Sequence, residues 1–488
     1  MEELAQADEH RVVIQVQEFF ADFFAINPDF YTLYTPHPAM SAREYGWQDT
    51  QNRIVDGILS IMLAMKRRPM IRYSAGSDMC RGVTTEIMRR MKQDQDLFEY
   101  RRTEPLPLLL ILDRKDDPVS PLLFQWTYQA MVHEVFGLVK NRVDFSTAPS
   151  SDGGAAGAAA AGGAARDKKK KDDLREVVLS CEQDAFFKDT MYLDFGDLGE
   201  AVKNLLEQYQ EQSKGNESIQ SLEDIRRFLD RYPEFRKMGA SASKHVALMD
   251  EISKYIRTHK MMDVVGKLEQ ELACHQDPAN AVRQVYEAID MPDLLPSDKL
   301  HLAMLYALRY EAEVNMTELQ GHLIRGGVSP EDAGKVQTLL KYSNSHNRAV
   351  DLYSNSTIWS RAASSVKRGI RGVQNIFQEH TPYLVSIIDA ATKGKLKDSQ
   401  FPLILESLPP VSGGPAAASA AASAAASAKP TEIIVFIIGG ATFEEAFHVN
   451  RINTTPASPP VRVILGGTTI LNTRSFIKNL ETFAQASS

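Results

Sequence analysis

The sequence predicts a fold of the α/β plus α class. We expect a parallel α/β sheet domain built from two chain segments and interrupted by a large, mainly helical insertion domain with a helical-hairpin arm. Three observations lead to this prediction: strand-like and helix-like runs alternate over residues 1–112, helical patterns dominate from 174 to about 405, and two strand-turn-helix units follow residue 431. Strands that alternate with helices are typical of parallel sheets with right-handed crossovers.

The first segment, residues 1–112, begins with a helix-like run, EHRVVIQVQEFFADFF. FYTLYT and PMIRY read as short strands, and TTEIMRRMKQ reads as a helix. Between the two strands, residues 53–66 carry apolar side chains at the spacing of one helical face. This order predicts the first strands of the sheet together with the helices that cover them.

The run Leu108–Leu112 is apolar on both faces, as a central parallel strand covered by helices must be. The run stops at Asp113, and Ser120 and Pro121 then suit the N-cap and first turn of a helix. Apolar side chains surround the following segment almost completely. We therefore expect this segment to form a helix that is buried between two parts of the protein.

The predicted helical domain spans residues 113–405, and its arm covers about 190–275. Leu198, Val202, Leu205 and Tyr209 fall on one helical stripe, and a polar connection then leads to a second helix. A Gly- and Ala-rich tract lies within a predicted disordered insertion at 149–172. A second low-complexity tract forms a predicted linker at 406–430.

The two closing units, TEIIVFIIGGATFEEAF and VRVILGGTTILNTRSFIKNL, occupy the last segment, 431–488. Each gives an apolar strand, a Gly-Gly turn and a helix. Because this segment is too short for a separate domain of useful size, we expect it to rejoin the sheet begun in residues 1–112.

The composition is that of a protein for a reducing, cytoplasmic compartment. Among 488 residues there are three scattered cysteines and a net charge of −8. Clustered Lys and Arg are needed for phosphate contacts, so this balance argues against nucleic acid as a partner. No run of about 18 apolar residues offers a membrane span. We expect a monomer that reaches membranes only through its partners.

Several catalytic motifs are incomplete. Gly439-Gly440 and Gly466-Gly467 lack the spacing of dinucleotide and P-loop motifs, so close strand-to-helix turns are the better interpretation. His133-Glu134 begins like HExxH, but the second histidine is missing, and Ser241 to Lys244 matches SxxK without a KTG partner. The sequence predicts no cofactor and no metal site.

The aspartates that follow the central strand suggest an alternative. Asp113, Asp116 and Asp117 stand where α/β enzymes hold magnesium, so a Mg-dependent phosphohydrolase using Asp113 is the second hypothesis. Arg114 and Lys115 are at hand to neutralise the cluster, and no second acidic group is evident at another strand end. We favour a structural turn and a protein that is not an enzyme.

The long segment LLLILDRKDDPVSPLLFQWTYQAMVHE resembles the SM (Sec/Munc-like) family of SNARE regulators. RTEPLPLLL, KLEQELACHQD, MLYALRYE and the two closing strand-turn units carry the same resemblance. It implies a non-enzymatic template for SNARE assembly in vesicle docking and membrane fusion. The closest branch implies transport from the trans-Golgi and endosome to the vacuole or lysosome, with a peripheral association with Golgi and endosome membranes.

The resemblance also implies partners and site residues. The expected partners are a syntaxin-type SNARE of the trans-Golgi or endosome and a vesicle-type SNARE. Pro233 matches the family's hinge proline, Val246 matches an apolar position that touches the vesicle SNARE, and Met249 lies on the same stripe. Two alternatives stay open: Pro233 simply separates two helices, and Val246 packs in the core. Because ADEHRVVIQVQEFFADFF, which follows Met1 almost at once, resembles the middle of the family's proteins, we expect the family's N-terminal domain to be missing.

Overall fold

The structure is a computed structural model, and it describes residues 6–10, 12–16, 19–35, 47–100, 105–145, 176–212, 236–346, 348–349, 352–353, 377–408, 419–420, 423–425, 427–456 and 460–487. The strands are β1 (Phe24–Asn27), β2 (Phe30–Thr32), β3 (Met70–Tyr73), β4 (Leu108–Asp113), β5 (Arg142–Asp144), β6 (Glu176–Val178), β7 (Glu432–Ile438), β8 (Ala441–Thr442), β9 (Arg462–Gly467) and β10 (Ile470–Leu471). The helices are α1 (Trp47–Met65), α2 (Asp78–Gln93), α3 (Tyr128–Phe136), α4 (Ala185–Thr190), α5 (Phe195–Gln212), α6 (Arg236–Thr258), α7 (Gly266–Cys274), α8 (Pro278–Asp290), α9 (Pro296–Arg309), α10 (Met316–Arg325), α11 (Pro330–Tyr342), α12 (Tyr383–Thr392), α13 (Phe443–Thr454) and α14 (Thr473–Ser487).

The main sheet has six strands in the order β1-β2-β9-β7-β4-β3. β2, β9, β7, β4 and β3 are parallel, whereas β1 is antiparallel to β2. The sheet is therefore mixed, and the prediction of a purely parallel sheet was wrong at this edge. The reason is the two-residue turn between β1 and β2, since only antiparallel neighbours can be joined by so short a connection.

The central strands come from distant parts of the chain. β4 pairs with β7 along its whole length, from Leu108 opposite Ile433 to Asp113 opposite Ile438. All six residues of β4 are buried. Leu109 and Ile111 pack with α1 and α2 on one face, and the alternate leucines of the strand join the larger core formed with the helical region on the other. The closing segment thus rejoins the sheet, as its apolar strands predict.

Helix α3 begins later than the sequence suggests. Ser120–Leu122 form a single 3-10 turn, and the α-helix starts only at Tyr128. The cause is Asp117, whose carboxylate accepts hydrogen bonds from the Ser120 amide at 3.0 Å and the Ser120 hydroxyl at 2.6 Å, so the turn closes on itself. The predicted burial is confirmed: all nine residues of α3 are buried, between α6 and α13.

The helix predicted near the start of the chain is absent from its described residues. Residues 12–16 and 19–22 form neither helix nor strand, and Ile14 and Phe19 are 99% and 78% exposed. An isolated amphipathic helix is marginal without a surface to cover its apolar face. The first strand after these residues is β1, which is held by pairing with β2.

Most helices predicted between 174 and 405 are present as α5 to α12. The polar connection within the predicted arm and the insertion at 149–172 lie outside the described residues. Within the predicted linker, Ala425 and Ala428 pack against the core. No helix in the described part of the chain is long and apolar enough to cross a membrane.

The end of the helical region lies along the outer edge of β3. Leu403 forms an antiparallel bridge with Arg72, and the Ile404 amide donates to the Ile71 carbonyl at 2.9 Å. The Ile71 amide in turn donates to the Ser407 hydroxyl at 3.1 Å. This contact covers an edge that would otherwise present unpaired backbone groups.

Candidate functional site

The candidate arm consists of α5 and α6, which pack against each other. On α5, Leu198 and Val202 are buried and Leu205 is half-buried, in agreement with the predicted stripe. Pro233 lies between the two helices, in the interval 213–235 outside the described residues. Its role as a hinge or as a helix boundary therefore stays a prediction.

Val246 and Met249 both lie on α6. Val246 is only 9% exposed and belongs to the main core, with Ile252 and Ile256 on the same helix. Met249 is half-buried and packs at the margin of that core. The structure thus gives Val246 the core packing that the sequence left open as an alternative, while Met249 keeps an accessible surface.

A buried hydrogen-bond network fixes α6 to the rest of the helical region. We call it the root network: Tyr128 on α3, Asp184 before α4, and Lys244 and His245 on α6. His245 Nδ1 lies 2.8 Å from the Tyr128 hydroxyl, and its Nε2 lies 3.0 Å from Asp184 Oδ2. Lys244 forms an ion pair with the same carboxylate. Asp184 also caps α4 by accepting from the Phe187 amide at 3.0 Å.

The pKa shifts in the root network determine which ring nitrogen of His245 carries the proton. Burial raises the pKa of Asp184, but hydrogen bonds from His245 and Lys244 outweigh it and hold that pKa well below its ordinary value. Burial lowers the pKa of His245, although Asp184 opposes the shift. A neutral His245 beside an ionised Asp184 must donate from Nε2, so Nδ1 accepts from the Tyr128 hydroxyl. Every polar atom of the ring is thereby satisfied.

A second buried polar cluster lies where α6 ends. His259 contacts the Asp298 carboxylate at 2.7 Å, and a π-helical turn, Met261–Val265, then leads into α7. On α7, Glu269 accepts from the Phe124 amide at 3.1 Å and lies 3.4 Å from His301. Burial raises the pKa of Glu269 well above its ordinary value and lowers that of His301 to about 4. His301 is therefore neutral at pH 7.

Neither cluster has a direct signal in the sequence. His245 and Asp184 are separated by 61 residues, and His259 and Asp298 by 39. Polar residues within apolar helical stripes, such as His245 in SKHVALMD and Glu269 in KLEQELA, were the available signal. Buried polar groups need partners, so these positions imply distant contacts without identifying them.

The aspartates after β4 hold a structural turn together. Asp113 accepts from the Ser77 hydroxyl at 2.6 Å and from the Lys115 amide at 2.9 Å, and Asp116 accepts from the Ser74 hydroxyl at 2.6 Å. Burial and the neighbouring Asp113 raise the pKa of Asp116 to about 7. Within the described ranges, no three His, Cys, Asp or Glu side chains are grouped so as to hold a metal ion.

Arg114 forms a buried ion pair with a residue of α13. Its guanidinium meets the Glu445 carboxylate of α13 through two hydrogen bonds of 2.7 and 2.8 Å, and both side chains are 1% exposed. It also donates to the Gly440 and Asp117 carbonyls at 3.0 Å. The pair joins the turn after β4 to the helix that follows β7.

The remaining motifs have packing roles. Gly439 has a φ of 98°, and a Cβ there would lie 2.7 Å from Arg114 Cβ. A Cβ on Gly466 would lie 2.0 Å from the Tyr31 ring. Glu134, of the incomplete HExxH motif, accepts from the Thr473 amide at 3.1 Å at the start of α14. Gly439-Gly440 form a turn after β7, as predicted, but Gly466 and Gly467 are the last two residues of strand β9 and pair with β2 and β7, so the turn predicted at that pair was wrong.

A comparison with protein families defines the class of protein. The sequence model of the Sec1 family matches residues 1–479. The chain therefore belongs to the Sec1 family.

Within that family, the chain is similar to vacuolar protein sorting-associated protein 45 from several organisms. It is 39% identical to the protein of Dictyostelium discoideum over 98% of this chain and 78% of the relative. The Homo sapiens protein is 36% identical over 98% of this chain and 77% of the relative.

Solved structures agree with this similarity. The SM protein Vps45 in complex with the Qa SNARE Tlg2 (1-310) superposes with a TM-score of 0.75 at 35% identity, covering 99% of this chain and 79% of that chain. The Unc18-syntaxin 1 complex from Monosiga brevicollis matches at a TM-score of 0.68 and 19% identity, covering 98% and 80%, which shows a shared fold alone. The comparisons give the phosphohydrolase hypothesis no support.

Proposed function

We propose that this chain is a SNARE-binding regulator of vesicle docking and membrane fusion in transport from the trans-Golgi and endosome to the vacuole or lysosome. The observation that carries the proposal is the similarity to Vps45 in complex with the Qa SNARE Tlg2, at 35% identity over 99% of the chain. On this proposal the chain acts as a template without enzymatic activity. It is a cytoplasmic monomer that associates peripherally with Golgi and endosome membranes through its partners.

The proposed domains and their roles follow the fold. Residues 1–112 and 431–488 form the α/β domain, 113–405 form the inserted helical domain, and 406–430 connect them. The arm at about 190–275 presents amphipathic helices to SNARE helices of the vesicle-type partner, a mode in which apolar anchors at helical spacing enter a groove. The root network supports this role because it holds the middle of α6 against α3 and the start of α4.

The test is calorimetric titration of the full chain with a syntaxin-type SNARE and, separately, with a vesicle-type SNARE. Binding of either supports the proposal, and binding of neither overturns it. Binding of the vesicle type alone would assign that partner to the arm.

Two variants locate the contact. Met249→Glu should weaken capture of the vesicle SNARE at least tenfold, because it places a charge in the predicted apolar contact. Ile324→Glu, at a 45% exposed position on α10, is the matched control and should bind normally. Val246→Asp is less informative than the sequence suggests, because at 9% exposure the new charge should also lower the melting temperature.

A further inference from the structure

The amino-terminal edge of the main sheet collects positively charged side chains. β3, β4, β7 and β9 are parallel, so their first residues lie at the same edge. Lys66 and Arg68 precede β3, Lys429 precedes β7, and Arg462 opens β9. The sheet topology brings Lys66 and Arg68 close to Lys429 and Arg462, which lie more than 350 positions later in the chain.

The loop after α12 adds another cation. A Cβ on Gly394 would lie 2.4 Å from the Ser427 carbonyl oxygen, so this loop packs against the residues that lead into β7. Lys395 follows Gly394 and is exposed. We call the following set the amino rim: Lys66, Arg68, Lys395, Lys429 and Arg462.

The amino rim carries charge that the described residues do not neutralise. Neighbouring cations are paired, Arg67 with Glu432 at 2.6 Å and Lys393 with Asp389 at 2.7 Å. In contrast, the rim side chains form no ion pair with any acid in the described ranges. Arg68 Nε is buried and has no hydrogen-bond partner there. A charged donor without an acceptor is costly unless an anion supplies one.

The backbone of Lys66 is also unusual. Its φ is 53°, in the left-handed region that favours glycine, where it ends α1 by donating to the Leu63 carbonyl at 3.1 Å. A non-glycine residue is strained at such a φ. The conformation places an exposed lysine at the sheet edge.

An exposed leucine accompanies these cations. Leu405 is 59% exposed. The chain around it runs antiparallel along β3, with the Ile404 amide on the Ile71 carbonyl, so Leu405 lies towards the amino end of that strand. Cations around a protruding apolar side chain are the combination with which peripheral proteins contact lipid headgroups.

Acidic residues lie beyond the amino rim at both ends of the sheet. Asp29 precedes β2 at one end of the sheet. At the other end, Asp94, Asp96 and Glu99 follow α2, and Glu406 is paired with Lys92. The cationic part is therefore centred on β7 and extends from β9 to β3, about 15 Å at the usual strand spacing.

We propose that the amino rim is a docking surface for an anionic lipid bilayer. The charges are spread along an edge from four separate chain segments and do not converge on one point, which fits a plane of headgroups better than a single small anion. On a chain of net charge −8, such a rim would also orient the molecule at a negative surface. This contact is independent of SNARE binding and adds to recruitment through partners.

The test is co-sedimentation of the full chain with vesicles of phosphatidylcholine alone and with about 30% phosphatidylserine. We expect binding only to the anionic vesicles, and a decrease as salt rises through the physiological range. The variant Lys66→Gln/Arg68→Gln/Lys395→Gln/Lys429→Gln should lose about fivefold in binding for each cation removed.

A matched control separates position from net charge. The variant Lys188→Gln/Lys267→Gln/Lys341→Gln/Lys478→Gln removes four exposed lysines elsewhere and should bind the anionic vesicles nearly as the unmodified chain does. Equal loss in both variants would overturn the proposal, as would equal binding to neutral and anionic vesicles or no binding to either. Tight binding of inorganic phosphate without vesicle binding would replace the bilayer with a soluble anion, and so would also contradict it.

Discussion

At the scale of single residues, the most consequential feature is the number of charged groups buried where several elements meet. Arg114 and Glu445 are both 1% exposed, and Glu134 is 7% exposed. Removing charges from water is costly, so each group depends on specific partners. The clearest predictions for the free energy of unfolding therefore concern substitutions of these residues.

The buried pair Arg114–Glu445 should show strong coupling. Arg114→Met leaves a buried carboxylate without its partner and should cost about 3–5 kcal/mol of unfolding free energy. Glu445→Gln should cost a similar amount, and the double variant should lose clearly less than the sum. Urea unfolding of the four proteins measures this, and additive losses would show that the two side chains act independently.

Glu134 should make stability depend on pH. Burial raises its pKa from 4.5 to about 7, so the folded protein holds a proton that the unfolded chain releases. The stability that this proton provides is complete below pH 4.5 and is lost as the pH rises towards 7 and beyond. Between pH 5 and pH 8, the unmodified protein should lose about 2 kcal/mol relative to Glu134→Gln.

Chemical unfolding across that pH range provides the measurement. Glu331→Gln, at an exposed position on α11, is the control and should follow the unmodified protein. Parallel pH curves for the unmodified protein and Glu134→Gln would contradict the assignment.

At the scale of elements, the arm is defined by what holds α6 in place. His245 fixes the middle of the helix near α3 and α4, and His259 fixes its C-terminal end to α9. The interval that contains Pro233 connects α6 to α5 at the N-terminal end. A helix held at its middle and its C-terminal end can change its length or direction only at its first turns.

Pro233 is the position at which such a change would begin. A proline inside a helix costs about 3 kcal/mol, so Pro233→Ala should favour an extended arm and strengthen capture of the vesicle SNARE, by at most about 150-fold. Pro278→Ala, in the first turn of α8, is the matched control and should leave capture unchanged. Calorimetry measures both, and unchanged or weaker capture by a folded Pro233→Ala protein would count against the hinge.

The elements that sequence alone predicted were those with strong local patterns. The apolar run of β4 and the apolar stripes of α1 and α5 predicted these elements, because their burial follows from the period and composition of the sequence. The predicted start of α3 was wrong because the hydrogen bond from the Ser120 amide to Asp117 closes a 3-10 turn there, so Ser120 is not the N-cap of the α-helix. The root network could not be predicted, since its members are brought together only by tertiary packing.

At the scale of the whole molecule, the sheet ties the two ends of the described chain together. β4 lies between β3 and β7, and β7 lies between β4 and β9. The helical region leaves the sheet after β4 and returns before β7. Its connections to the sheet therefore begin and end on adjacent strands.

This arrangement predicts the outcome of cutting the chain. A protease site inserted between residues 412 and 418, outside the described residues, would separate the last segment covalently after cleavage. The two pieces should still elute together in size-exclusion chromatography without denaturant, because β7 and β9 lie inside the sheet and make its central pairings. Elution as two separate species would contradict the central role of these strands.

The pairing of β4 with β7 also has a consequence for synthesis on the ribosome. Roughly 320 residues separate the end of β4 from the start of β7. At a synthesis rate of about 5–20 residues per second, β7 is made some 15 to 60 s after β4. During that time six consecutive residues that are buried in the finished protein have only one of their two partner strands available. The nascent chain must therefore complete its helical region while the edge of an unfinished sheet stays open, which makes this interval the period of greatest exposure to aggregation and to chaperones.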